Sequence, residues 1–157
     1  MLYVDMPTQQ DIKALNKRRA DACVSMYVPT TPLTQEVGIS RTELRKLSKQ
    51  AFSQLDGAGF DKRRVALMQE AMDLLLDADE FWRLQANSLA VLLTPEDIRT
   101  FRLANKLQAS VEVSDRFHLK PLLRAVAFPH TAYVLAISEN SVRLVEVVAD
   151  GEPQDIK

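Results

Sequence analysis

The chain has 157 residues, of which 46% are hydrophobic and 26% charged, and its net charge is -1. That composition supports one core of ordinary globular size and excludes binding to nucleic acid by bulk charge, so any such role needs a local basic face. The single cysteine, Cys23, excludes a disulfide within the chain and fits a reducing compartment.

Met1 to Met6 have neither the basic nor the apolar region of a signal peptide. The longest apolar runs, Leu89 to Leu93 and Ala132 to Ile137, fall far short of the roughly 20 residues that span a bilayer. A cytoplasmic protein with no membrane partner is therefore expected. Thr8-Gln9-Gln10-Asp11 reads as a capping box opening a helix through Ile12 and Leu15 to about Arg19. Ala22 to Val28 is an apolar strand closed by Pro29. Ser40-Arg41-Thr42-Glu43 reads as a second capping box, with Leu44, Leu47, Ala51 and Leu55 on one helical face. Asp56-Gly57-Ala58-Gly59 ends that helix, because glycine tolerates the left-handed conformation of a C-cap.

Asp61 caps the next helix, which is apolar over most of its circumference and is expected to be largely buried. Asp77-Ala78-Asp79-Glu80 is unfavourable at the negative end of a helix dipole and should stop it. Ser88 to Leu93 is continuously apolar, as a central strand requires, and Thr94-Pro95-Glu96-Asp97 begins a turn. Thr100 to Leu103 and Ala109 to Val113 read as the two strands of a hairpin around Asn105 to Gln108. Pro121 permits only the first turn of a helix, so the one carrying Leu122, Leu123 and Val126 starts near His118 and ends by Pro129. Tyr133 to Ser138 and Val142 to Val148 form a last hairpin, followed by a loop at Gly151-Glu152-Pro153. The expected fold is α/β of the α+β type: a mostly antiparallel sheet with helices packed on it, then a short helix and a terminal β-hairpin.

No catalytic constellation emerges. Cys23 lies in an apolar strand with nothing to place His118 or His130 beside it, and buried strand cysteines are mostly packing residues. Three scattered Cys and His residues do not make a zinc site. Gly57-Ala58-Gly59 lies between two helices, which is not the strand-to-helix setting of a phosphate loop. Asp73, Asp77 and Asp79 lack the loop of a calcium site. No catalytic residue, metal or cofactor is expected. The pattern with binding chemistry is the helix bearing Arg41, Arg45, Lys46 and Lys49, with Glu43 as its only acid, the residue types that contact phosphates. Lys17-Arg18-Arg19 and Lys62-Arg63-Arg64 add basic clusters at helix ends, and Phe117, Tyr133 and Trp82 are candidates for stacking on bases. Against this stands a plain solvated helix face. Arg116, His118 and Lys120 alternate around Phe117 and Leu119, either as a polar cluster at a domain junction or as a strand end whose charges face water.

The order of these features carries a resemblance. The strand ending Tyr27-Val28-Pro29-Thr30, two long helices, Phe81-Trp82, the strand Ser88 to Leu93, and Phe101-Arg102-Leu103 come first. Arg116-Phe117-His118-Leu119-Lys120-Pro121-Leu122-Leu123 and the hairpin Tyr133 to Leu144 follow, and are the specific parts. From about Val24 to Val148 the chain resembles the bacterial relatives of the archaeo-eukaryotic class 1 peptide-release factors. The resemblance implies an amino-terminal α/β domain at residues 1–128. It makes residues 129–157 the first β-hairpin of a truncated second, RNase H-like domain. The Gly-Gly-Gln loop and the Asn-Ile-Lys-Ser motif of the eukaryotic members are both absent, so neither ester hydrolysis nor codon reading falls on any residue here.

The expected function is a non-catalytic, translation-associated module that contacts ribosome or RNA, with ribosome rescue as the fold-level analogy. The rival is a protein-protein interaction or assembly domain in a stress response with no nucleic-acid partner. Expected partners are ribosome or RNA, the remainder of the chain's own middle domain, and a second copy through the terminal hairpin.

Overall fold

The computed structural model describes residues 2–127, 131–148 and 154–156. The expected 128/129 domain boundary, the helix end at Pro129, His130 and the Gly151–Pro153 loop lie outside the described residues.

Strands β1 (Cys23–Pro29) and β2 (Ser88–Leu93) are the centre of a four-stranded antiparallel sheet. Both are apolar at nearly every position, so both faces of each must be covered. Alternation sorts their side chains. Val24, Met26, Val28, Leu89, Val91 and Leu93 face one core, shared with α2 (Val37–Gly57), α3 (Lys62–Asp77) and Trp82 of α4 (Asp79–Arg83). Cys23, Tyr27, Ala90 and Leu92 face the other, shared with Leu15 of α1 (Gln9–Lys17), Phe117, Leu119, and Leu122 and Ala125 of α5 (Lys120–Ala127). The result is a sheet between two helical layers, in agreement with the expected α/β class.

Strand order is β3-β2-β1-β4, with β3 at Ile98–Leu103 and β4 at Ser110–Ser114. The expected hairpin between Thr100–Leu103 and Ala109–Val113 is therefore not formed: β3 pairs with β2 and β4 with β1, at opposite edges. The tight turn is instead Thr94 to Asp97, where the Thr94 N–H donates to the Asp97 carbonyl at 2.8 Å and the Asp97 N–H to Thr94 Oγ1 at 3.1 Å. The two all-apolar strands need a neighbour on each side, and the more polar β3 and β4 take the edges. The crossing between those edges is held by Ser88, whose Oγ donates to the Asn105 carbonyl and accepts from the Leu107 N–H, both at 2.7 Å.

Thr8 caps α1 with the expected capping box, and Asp61 caps α3 by accepting from the Arg63 N–H. The capping box expected at Ser40 is not used. Helix α2 starts at Val37 after a short 3-10 turn at Thr34–Glu36, and Ser40 is buried within its first turn. Val37 packs against the core, which favours starting the helix four residues early. Its end is a Schellman motif: Gly59 has φ +72, and the Phe60 N–H donates to the Leu55 carbonyl at 3.0 Å.

Helix α3 is not largely buried, contrary to its composition. Only Met68, Met72 and Leu76 are fully enclosed, while Leu67 and Leu74 are exposed. Helix α2 and the core it shares with the sheet cover one side of α3, and nothing described covers the other. The acids that end α3 then start α4, which the sequence reading missed; Asp79 and Glu80 in its first turn and Arg83 in its last suit the helix dipole. In α5 the buried residues are Leu122 and Ala125, with Leu123 and Val126 left exposed.

A second sheet, order β5-β6-β7, comprises Thr131–Ser138, Ser141–Val148 and Gln154–Ile156. The hairpin is as expected, but β7 adds a short third strand along Leu144–Glu146. Tyr133, Leu135 and Ile137 share a face with Val142, Leu144 and Ile156, and all six are exposed. No described helix is long and apolar enough to cross a membrane.

Candidate functional site

Helix α2 turns its apolar side to the sheet through Leu44, Leu47, Ser48, Ala51 and Leu55, which sends the intervening basic residues outward. Three of the four expected binding residues, Arg45, Lys46 and Lys49, are exposed and have no ion pair among the described residues. Arg41 is different. Its guanidinium pairs with Asp79 at 2.8 Å and lies 5.6 Å from the Trp82 ring centroid, so it ties α2 to α4. Arg45 and Lys49 lie one turn apart, about 6 Å along the axis. Two cations at that spacing suit a run of phosphates.

The basic clusters at the helix ends are engaged elsewhere through Arg18 and Arg64. Arg64 pairs with Asp21 at 2.5 Å and Glu96 at 2.8 Å, and Arg18 reaches the same Glu96 at 3.4 Å. Hydrogen bonding to Arg64 lowers the Glu96 carboxyl pKa, and hydrogen bonds to Asp21 and then Glu96 raise that of Arg64. A shallow cleft between α1 and β2 contains Arg18 and Arg99 over Leu15, Leu92 and Phe117. Arg99 there is held by Asp11 at 2.8 Å. Of the stacking candidates, Trp82 and Phe117 are buried and unavailable to a base, whereas Tyr133 is exposed.

Arg116, His118 and Lys120 have separate surroundings. Arg116 is exposed and, among the described residues, pairs only with its neighbour Asp115, at 3.3 Å. Lys120 is exposed at the start of α5. His118 is anchored by its backbone. Its N–H donates to Ser25 Oγ at 2.8 Å, and its carbonyl accepts from the Tyr27 hydroxyl at 2.5 Å. Its ring meets Tyr27 edge-on, with centroids 6.4 Å apart, and its Nδ1 lies 3.6 Å from a Glu112 oxygen. Phe117 and Leu119 on either side are buried. Sequence reasoning missed this clasp. The signal was Ser25 and Tyr27, two polar side chains at alternate positions in an otherwise apolar strand.

Arg102 was also missed as a structural residue. It is 8% exposed, held between the Phe81 and Tyr3 rings at 4.2 and 4.7 Å, and bonded to Asp5 through both backbone and side chain. It fastens the amino-terminal segment to the sheet edge. Cys23 is fully buried, and desolvation pushes its thiol pKa up, the opposite of what a nucleophile needs. Asp79 is occupied by Arg41, and the described residues contain no cluster of three or more Cys, His, Asp or Glu set to hold a metal.

Residues 129–157 match the family model for bacterial archaeo-eukaryotic release factor family 11. In fold, the chain is similar to an archaeal translation termination factor, aRF1, at a TM-score of 0.50 and 16% identity, over 93% of this chain and 41% of that one. A second solved structure, described as an archaeal protein, matches at a TM-score of 0.50 and 17% identity over 93% of this chain and 42% of that one. The chain thus spans about two fifths of the length of these structures. No curated protein matches it in sequence.

Proposed function

We propose that this release-factor-like chain is a translation-associated module that contacts ribosomal or other RNA through Arg45, Lys46 and Lys49 of α2. Three exposed cations on one helix, with no ion pair among the described residues, carry the proposal, because such charges are free to neutralise phosphates. The family match and the likeness to aRF1 support the translational setting. The chain acts by binding, without catalysis by these residues, in the cytoplasm, and rescue of stalled ribosomes is the task it would serve. Arg41 belongs to the helix packing and not to the interface.

Residues 1–128 form one domain in this reading, and residues 129–157 begin a second. The exposed apolar face of β5, β6 and β7 supports that division, since such a sheet needs a covering layer. Further chain of the middle domain would provide it, and a second copy is the alternative occupant.

The test is co-sedimentation of the full-length protein with bacterial ribosomes across a salt series. Arg45→Glu with Lys49→Glu should weaken binding at low salt and flatten the log–log salt dependence by about 1.5. Arg41→Gln should leave the slope unchanged. Binding that is insensitive to salt and to the double reversal would remove α2 from the interface.

A further inference from the structure

Helix α3 has an open side whose pattern the fold does not use. Leu67 and Leu74, seven residues apart, lie on one narrow strip of it. Leu67 is 55% and Leu74 69% exposed.

The charges beside the strip are equally specific. Arg63, Glu70 and Asp77 repeat every seventh residue and line one flank. All three are exposed, and none has an ion pair among the described residues. Their order places the cation at the helix amino terminus and the acid at its carboxyl terminus. That order opposes the helix dipole, so α3 alone gains nothing from it. An antiparallel copy of the same helix reverses the situation. Arg63 of each copy then lies against Asp77 of the other, the dipoles oppose, and Leu67 comes level with Leu74 across a two-fold axis near Glu70.

We infer that two copies of this chain associate through α3, antiparallel, with Leu67 and Leu74 as the apolar contact and reciprocal Arg63–Asp77 pairs at its ends. The helix is about 24 Å long, so the contact is small and the dimer weak and salt-sensitive. Glu70 meets its own copy at the axis, which further limits affinity.

Sedimentation velocity of the full chain over a wide concentration range tests this. The wild type should show a reversible monomer–dimer equilibrium. Leu67→Glu with Leu74→Glu, which sets like charges against each other across the axis, should abolish it with an unchanged circular dichroism spectrum, because both positions are exposed. Arg63→Glu and Asp77→Lys, each alone, should weaken the dimer about tenfold or more, and mixing the two variants should restore it, since each then supplies the other's missing partner. Glu70→Gln should tighten it. A monomer at every concentration overturns the proposal. So does a dimer that ignores the α3 variants but is lost on Leu135→Lys in β5, which would place the contact on the terminal sheet.

Discussion

The clasp on His118 yields a quantitative prediction. Tyr27→Phe removes one hydroxyl from a fully buried ring and leaves the packing of that ring intact. The His118 carbonyl then loses its 2.5 Å partner in a part-buried site. An unsatisfied buried acceptor costs about 1–3 kcal/mol. With half-exposed surroundings on the His118 side, about 1.5 kcal/mol is expected, a fall in melting temperature of roughly 3–6 °C for a domain of this size. Ser25→Ala removes the acceptor of the His118 N–H and should cost about 1 kcal/mol. Both bonds hold one peptide segment, so once either is gone the other holds less. The double variant should lose about 0.5–1 kcal/mol less than the sum. Urea unfolding followed by fluorescence suits the measurement, because Trp82 is the only tryptophan and is buried. Burial, and then the charge of Glu112, pushes the Tyr27 phenol well above its ordinary value of 10.0. The native state therefore keeps a proton that the unfolded chain releases, and the Tyr27 contribution is complete below pH 10.0 and falls as pH rises beyond it. Tyr27→Phe should flatten stability against pH in that alkaline range. A Tyr27→Phe loss below about 0.3 kcal/mol, or strict additivity with Ser25→Ala, would refute the clasp.

Two neighbouring glycines should respond in opposite directions to the same change. Gly57→Ala, inside α2 with nothing within 4 Å of the added methyl, should stabilise by about 0.5–1 kcal/mol, whereas Gly59→Ala, at φ +72, should destabilise by about 1 kcal/mol. Equal effects in thermal melts would show that the Schellman end is misassigned. The Asp11 carboxyl, held by the Thr8 backbone N–H and then by Arg99, should titrate at about 2, against an ordinary 3.8. Its contribution to stability is therefore present above 3.8 and lost as pH falls through about 2, and Arg99→Gln should raise the midpoint. A wild-type midpoint near 3.8 in a carbon-detected NMR titration would contradict the capping geometry.

The sequence alone determined the elements that depend on interactions within a few residues. Thr8 and Asp61 as caps, the glycine stop of α2, the Pro121 start of α5 and the existence of the last hairpin all follow from local backbone chemistry. The all-apolar runs of β1 and β2 likewise required a central position. The tertiary structure decided what depends on distant neighbours: the opposite edges taken by β3 and β4, the open side of α3, and the enclosure of Arg102 by Tyr3, Asp5 and Phe81. It also separated Arg41, bound to Asp79, from Arg45 and Lys49 on the same helix face. A side chain's charge and shape are fixed by its identity, and local elements follow from them. Its availability is fixed by which remote residue the fold brings within hydrogen-bonding distance, and periodicity along the chain carries no information about that.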